Sequence, residues 1–208
     1  VYLKFMAIQI NHKNSGYQKG SSNLVLFVDD KFSTKPLKKY ISETELFYIS
    51  GLIKTNDLDK KLFAFEVNSK KRIILVSIKK NTKASDFENL GAEFYSHINY
   101  GKNKEYFINS DSVISNDKNF LAHFLHGLKL KSYEFNKYKS KKNTRLITIK
   151  IIGNKNKPIA NDLLKFKALE EGTFYTRDLV SEPGNVLHPD EYAKRLRSLK
   201  KHGLKINI

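Results

Sequence analysis

The sequence predicts an α/β fold: a layered mixed sheet with flanking helices, followed by a linker helix and an incomplete second domain. Short strand-like segments alternate with helical patterns through most of the chain. One of these segments, residues 24–30, is a short continuous apolar run, which is typical of a strand covered on both faces. A polar stretch after residue 153 then separates this pattern from a new helix that opens at Pro158.

The strands are predicted from the spacing of apolar residues in short segments. Residues 1–11 alternate between apolar and polar side chains, which indicates a first strand. The polar segment "NSKK", residues 68–71, separates the strands predicted over residues 62–67 and 72–78. In chain order, the predicted strands are residues 1–11, 24–30, 62–67, 72–78, 105–109 and 144–152.

Three helices between these strands are predicted from apolar residues that recur every three or four positions. The first opens with a capping box, in which the Ser42 side chain and the Glu45 side chain each bond to the other's backbone N–H. The expected buried stripes are Leu46, Ile49 and Ile53 in residues 42–54; Phe87, Leu90, Phe94 and Ile98 in residues 83–98; and Phe120, Leu121, Phe124, Leu125 and Leu128 in residues 116–135.

A second set of structural elements is predicted after residue 153. A linker helix is predicted from Pro158 to about Val180, because Pro183 disfavours helical backbone at the residue before it. Pro189 opens another helix, in which acidic residues near the N-terminus favour the helix dipole.

The predicted domains are an α/β domain over residues 1–153, a linker helix over 154–182 and the start of a second domain over 183–208. Residues 204–208 alternate like a strand. One helix and one strand cannot bury their apolar faces alone, so we expect the chain to be the front part of a longer protein.

The composition is that of a basic globular chain. Lys and Arg number 38 against 21 Asp and Glu, and the formal net charge is +17. The absence of cysteine excludes disulfides and thiolate ligands. No apolar run approaches the roughly 18 residues that cross a bilayer, and the first residues lack a signal-peptide pattern. We therefore expect a cytoplasmic protein with no membrane partner.

The positive charge makes nucleic acid a possible but weak partner. The lysines are spread along the chain, which is typical of a solvated surface. The best candidate segment is residues 129–142, where aromatic residues alternate with lysines. Its possible DNA contacts are Lys137, Lys139, Lys141 and Lys142. The alternative is that the aromatic rings pack while the lysines stay in water.

Two segments resemble the leucyl aminopeptidase (cytosol aminopeptidase) family. "TRDLVSEPGNVL", residues 176–187, followed by Pro189 and Tyr192-Ala193, is similar to that family's domain junction. "LHGLKLKSYEFNKYKSKK", residues 125–142, is similar to a stretch that precedes the last strand of its N-terminal domain. The two motifs stand in the family's order, while the remainder of residues 1–120 agrees only in the order of elements.

The resemblance implies a metal-dependent hydrolase that releases N-terminal amino acids from peptides. Family members hold two divalent ions, Mn or Zn, usually form homo-hexamers, and carry a macro-domain-like N-terminal domain ahead of the catalytic domain. The family's Asn-Thr-Asp-Ala-Glu-Gly-Arg signature is absent from this sequence. No catalytic residue or metal ligand is therefore carried over. The 208 residues are expected to bind no metal, to be inactive alone, and to serve oligomer assembly and active-site access.

The junction residues have two interpretations. Arg177, Asp178, Glu182, Pro183 and Asn185 are interpreted as a hinge in which the polar side chains hydrogen-bond the junction. The alternative is that they support a catalytic site in the following domain.

Other candidate sites are weaker. His123 and His126 lie one helical turn apart, but a zinc pair would more usually be four residues apart with further ligands, so packing is the expected role. His188 is interpreted as a helix-start residue. Macro-like folds suggest ADP-ribose, but the glycines are scattered singly, without the phosphate-binding loop that such a ligand would need.

Overall fold

The structure, a computed structural model, describes residues 7–12, 17–20, 22–56, 58–80, 82–100, 102–140 and 146–207. The chain divides into two compact units, one that runs to Phe166 and another that starts at Lys167. The domain boundaries placed after residues 153 and 182 remain a prediction. No helix in the described part of the chain is long and apolar enough to cross a membrane.

The described strands form one six-stranded sheet in the order β1-β6-β5-β2-β4-β3. Neighbouring strands run parallel except for the antiparallel pair β3 and β4, which confirms the predicted layered mixed sheet. The strands are β1 (Ile8–Asn11), β2 (Leu24–Asp29), β3 (Leu62–Asn68), β4 (Lys71–Ile78), β5 (Glu105–Asn109) and β6 (Ile147–Ile152).

The helices follow the predicted order. They are α1 (Glu43–Thr55), α2 (Ala84–Ile98), α3 (Phe120–Lys131), α4 (Ala160–Ser181) and α5 (Pro189–Arg197), with 3-10 turns at Lys35–Lys39, Ser110–Ser112 and Ser198–His202. The capping box of α1 is confirmed, because Ser42 Oγ accepts the Glu45 N–H and Glu45 Oε2 accepts the Ser42 N–H.

The central strand β2 is buried on both faces, so its side chains serve two separate cores. Val25 and Phe27 join the core beneath α2 and α3. Leu24, Leu26 and Val28 join the core beneath α1 and the 3-10 turn at Lys35–Lys39. Helices therefore cover both faces of the sheet, as the continuous apolar run of β2 predicts.

A buried ion pair joins the start of β4 to the start of α1. Lys71, which is 1% exposed, places its Nζ 2.5 Å from Oε1 of Glu45. Burial works to raise the pKa of Glu45, but hydrogen bonds from Lys71 and Ser42 outweigh it and hold the pKa below its ordinary value of 4.5. Glu45 therefore contributes its full stabilisation at neutral pH, and this contribution is lost as the pH falls below 4.5 towards the lowered pKa.

Helices α2 and α3 cross at two glycines. A Cβ added to Gly91 of α2 would lie 1.9 Å from the carbonyl oxygen of Phe124. A Cβ added to Gly127 of α3 would likewise lie 1.9 Å from the carbonyl oxygen of Glu88. Both obstacles are helix backbone and cannot rotate away, so the close crossing requires glycine at each position.

Two predicted elements differ from the structure at their ends. The helix predicted over residues 116–135 is shorter at both ends. It starts later because the Asp117 side chain accepts the Asn119 N–H, and it ends at Lys131, where the Ser132 hydroxyl donates to the Lys129 carbonyl oxygen. The strand predicted over residues 204–208 is wrong for residues 204–207, which lie in no strand. Alternation alone does not form a strand, since no described strand pairs with this segment.

Some sequence predictions fall outside the described residues. They concern residues 1–6 of the first strand, Thr144 and Arg145 of the last, and Ile208.

We predict that Gly91→Ala or Gly127→Ala lowers the free energy of unfolding by about 3 kcal/mol, because the helices must separate to admit a methyl group. Gly51→Ala on α1 is the matched control: its added Cβ would meet nothing within 4 Å. It should raise stability by about 0.5–1 kcal/mol through helix propensity. Urea unfolding of the three variants measures this, and equal effects at all three positions would contradict the close crossing.

Candidate functional site at the junction of α4 and α5

A compact turn connects α4 to α5. The backbone N–H groups of Val186 and Leu187 both donate to the carbonyl oxygen of Pro183, each at 2.9 Å. The backbone of His188 has extended geometry and precedes Pro189, the first residue of α5. Proline ends one helix and starts the next, so the direction of the chain through the turn is fixed locally.

Arg195 of α5 holds this turn together. Its Nη1 donates to Oε1 of Glu182 at 2.9 Å, and its Nε donates to Oε1 of Glu191 at 3.0 Å. Its backbone carbonyl accepts a hydrogen bond from the Tyr175 hydroxyl at 2.9 Å. Side chain and backbone of one residue therefore connect the end of α4, the turn and α5. We call Tyr175, Glu182, Glu191 and Arg195 the junction clamp.

The clamp is charged and partly buried. The side chain of Glu182 is only 3% exposed and that of Arg195 is 22% exposed. Hydrogen bonds to Glu182 and then Glu191 raise the pKa of Arg195, so the guanidinium is charged at every pH of interest. A buried carboxylate is costly without a charged partner, and this makes Glu182 and Arg195 mutually dependent.

The predicted junction residues occupy different parts of this site. Glu182 and Pro183 take part directly in the clamp and the turn. Arg177 and Asp178 are half-buried in the last turns of α4, and Asn185 is exposed in the turn. Their role as a hinge remains a prediction.

Sequence reasoning missed Arg195 and Tyr175. Arg195 follows Glu191 by four residues, the spacing of an ion pair along a helix, and this was the available signal. Its contact with Glu182 depends on the turn between two helices. That contact has no local sequence signature.

Two of the four proposed DNA contacts lie within the described residues. Lys137 and Lys139 are exposed, whereas Lys141 and Lys142 lie outside the described residues. The Lys137 Nζ lies 5.3 Å from the ring centre of Tyr138, which is 50% exposed. Phe135 packs on the same ring, with centroids 5.8 Å apart. A DNA-binding role for these lysines remains a prediction.

The histidine pair packs around an aromatic ring. The ring centroid of Phe166 lies 4.9 Å from that of His123 and 4.6 Å from that of His126. Nδ1 of His123 also lies 2.8 Å from Oε1 of Glu88. Among the residues that the structure describes, no three His, Asp or Glu side chains are placed to hold a metal ion. His188 is exposed, and its side chain makes no capping bond to α5.

The fold and the junction define an α/β domain followed by a long helix and a clamped helical turn. The sequence profile of the cytosol aminopeptidase family, N-terminal domain, matches residues 25–142. This chain belongs to the cytosol aminopeptidase family. The resemblance inferred from the two sequence motifs is thereby confirmed.

One curated protein resembles this chain in sequence, and two solved structures resemble it in fold. A probable cytosol aminopeptidase of Ehrlichia ruminantium, strain Gardel, is 33% identical over 140 residues, which cover 61% of this chain and 27% of the relative. A mutant of tomato leucine aminopeptidase shares the fold with a TM-score of 0.71 at 18% identity, covering 94% of this chain and 42% of that protein. The bottromycin maturation enzyme BotP in complex with Mn has a TM-score of 0.62 at 15% identity, covering 88% and 37%. The chain thus spans less than half the length of these proteins.

We predict that Arg195→Met increases the rate of proteolysis between residues 181 and 208, because it removes the guanidinium that pairs with the largely buried Glu182 carboxylate. The local cost should be about 2 kcal/mol. Lys194→Met is the matched control, since the Lys194 side chain is 79% exposed and its Nζ lies 3.8 Å from Glu191. Limited proteolysis followed by mass spectrometry measures both variants. Equal cleavage rates in wild type and Arg195→Met would contradict a stabilising clamp.

Proposed function

We propose that the chain provides the N-terminal domain, linker helix and junction of a cytosolic aminopeptidase that releases N-terminal amino acids from peptides. The observation that supports this most strongly is the family match over residues 25–142. The junction clamp supports the same assignment. It holds α5 in a defined position after the linker helix, as a domain that continues beyond α5 would require.

The catalytic chemistry is proposed to lie outside these 208 residues. The described residues do not fit a two-metal site, because no three His, Asp or Glu side chains converge. Two divalent ions, Mn or Zn, would be held by residues elsewhere in a longer protein. The ions would activate water and polarise the scissile carbonyl. The bottromycin maturation enzyme BotP, which is similar in fold, has a solved structure in complex with Mn, and this supports a divalent ion of that type.

The present residues are proposed to serve assembly and access. An α/β domain on a linker helix can contribute to contacts in a homo-hexamer and restrict which peptides reach a catalytic site. Exposed apolar side chains offer surface for such contacts, among them Phe47, which is 85% exposed, and Tyr100, which is 87% exposed.

The 208-residue chain is predicted to show no turnover of leucine-p-nitroanilide with Mn²⁺, because its described residues hold no group of His, Asp or Glu side chains placed to bind a metal ion. A protein extended through the coding sequence after Ile208 to the length of the relatives should hydrolyse the substrate and lose this activity with EDTA. A mock purification from the same host controls for contaminating peptidases. Turnover by the short chain above that control would contradict the proposed location of the catalytic site.

DNA binding by the basic segment is the second candidate. The exposed ring of Tyr138 between Lys137 and Lys139 combines a stacking surface with positive charge. It favours a weak, sequence-independent interaction, since the other lysines of this highly charged chain also attract phosphate.

We predict that the chain shifts DNA in a gel at low salt and that this binding is lost at physiological salt. The affinity for DNA should fall by the same factor in two variants that carry the same net charge. One variant reverses Lys137, Lys139, Lys141 and Lys142 to Glu. The control reverses four exposed lysines elsewhere, Lys60, Lys79, Lys80 and Lys83. Tight binding at physiological salt that only the first variant abolishes would instead support a dedicated DNA-binding module.

A further inference from the structure

A cavity of about 250 Å³ lies at the carboxyl ends of β2 and β5. Its walls include the last residues of β2, the 3-10 turn at Lys35–Lys39 and the segment that follows β5. Pockets for drug-sized molecules run from roughly 300 to 1,000 Å³, so this one suits a smaller metabolite.

The topology explains why the cavity forms there. After β2 the chain crosses one face of the sheet as α1, and the next two strands, β3 and β4, lie beyond β2 towards one edge of the sheet. After β5 the chain crosses the opposite face as α3, and the next strand, β6, lies beyond β5 towards the other edge. Neighbouring parallel strands whose connections diverge in this way form a topological switch point, where open α/β sheets bind ligands.

The walls combine three kinds of chemistry. Pro36, which is exposed, and Ile114, which is 48% exposed, provide apolar surface, while the Phe27 and Leu37 side chains are buried in the two cores behind the wall. Asp29 and Asp111 provide two carboxylates, and Lys39 provides a cation. Two carboxylates disfavour a phosphate ligand through like-charge repulsion, and they favour a ligand with an ammonium group.

The first carboxylate is held by a strained turn. Phe32 has a φ of 51°, which a bulky residue rarely adopts, and its N–H donates to the carbonyl oxygen of Asp29 at 3.0 Å. Its side chain is buried, with its ring 4.8 Å from that of Phe63, and this packing supports the strained backbone. Such strain tends to cluster at ligand clamps. Here it leads Asp29 Oδ1 to accept the Ser33 N–H at 2.8 Å.

Asp29 is ionised in this position. Burial works to raise its pKa, but hydrogen bonds from Ser33 and Lys31 and the charge of Lys31 outweigh burial and hold the pKa below its ordinary value.

The second carboxylate is equally fixed. Oδ1 of Asp111 accepts the N–H groups of Asn154 at 2.7 Å and Lys155 at 2.6 Å, and the Tyr40 hydroxyl donates to the Asp111 carbonyl at 2.8 Å. Gly153 allows this approach, because it has a φ of 98° and an added Cβ would lie 2.8 Å from Asp111 Oδ1. The carboxylate therefore stands in place before any ligand arrives.

We propose that this cavity binds a free apolar α-amino acid, with its ammonium group on Asp29 and Asp111, its carboxylate on Lys39, and its side chain against Pro36 and Ile114. A zwitterion with an apolar side chain matches all three kinds of wall, whereas an amine or a carboxylic acid alone matches only two. The proposal does not depend on the catalytic role proposed above, because every residue it uses belongs to this chain.

The test is a titration of the ¹⁵N-labelled 208-residue chain with L-leucine, followed by NMR. We expect saturable shifts of the backbone amides of Ser33 and Ser112. Isoamylamine, which lacks the carboxylate, and isocaproate, which lacks the ammonium group, should each bind about tenfold more weakly, because each loses a charge-assisted contact. No saturable shift with millimolar leucine would overturn the proposal, as would equal binding of leucine and isocaproate.

Variants locate the site. Asp29→Asn and Lys39→Met should each weaken leucine binding about tenfold. Asp30→Asn and Lys38→Met, which change exposed neighbours that do not line the cavity, should leave it unchanged. Equal weakening of leucine binding by Asp29→Asn and Asp30→Asn would mean a general charge effect and would overturn the assignment of leucine to this cavity.

Displacement of leucine by inorganic phosphate would overturn the proposed preference for an ammonium group. Because no step involves peptide hydrolysis, failure here would leave the proposed aminopeptidase role untouched.

Discussion

The burial of β2 on both faces constrains the first unit more than any other single feature. Its backbone pairs with β4 on one side and with β5 on the other. Its side chains pack alternately into the two hydrophobic cores. Parallel neighbours cannot be joined by tight turns, so the chain must cross over the sheet between them. Helices consequently cover both faces, and the connections after β2 and β5 leave in opposite directions. The cavity at their carboxyl ends is a geometric result of that divergence.

Much of this architecture could be predicted from the sequence because its signals are local. The continuous apolar run of β2 indicated double coverage, and the capping box at Ser42 fixed the start of α1. The stripe Phe87, Leu90, Phe94 and Ile98 correctly identified the buried face of α2. Each of these patterns spans only a few residues, and within such a distance side-chain periodicity determines the outcome.

The remaining features depend on contacts between distant segments. The strand order places β6 between β1 and β5, and apolar spacing carries no information about that choice. Gly91 and Gly127 looked like ordinary scattered glycines until the two helices were seen to cross. The candidate sites share this property. Arg195 contacts Glu182 only because of an intervening turn, and Asp29 and Asp111 line one cavity only because their strands are neighbours in the sheet. The strand expected after residue 203 failed for the converse reason, since a local pattern lacked a distant partner.

The pair Lys71 and Glu45 has a consequence for how this sequence can change over generations. Either charge left alone in the interior would be heavily destabilising, while an apolar pair of similar volume in the same space could be tolerated. The two positions are therefore coupled, because a replacement at one is acceptable only when the other has changed with it. Since Glu45 also closes the capping box of α1, an apolar replacement there removes a helix-start signal as well. Drift at this pair should consequently be slow, and related chains should keep both charges or neither.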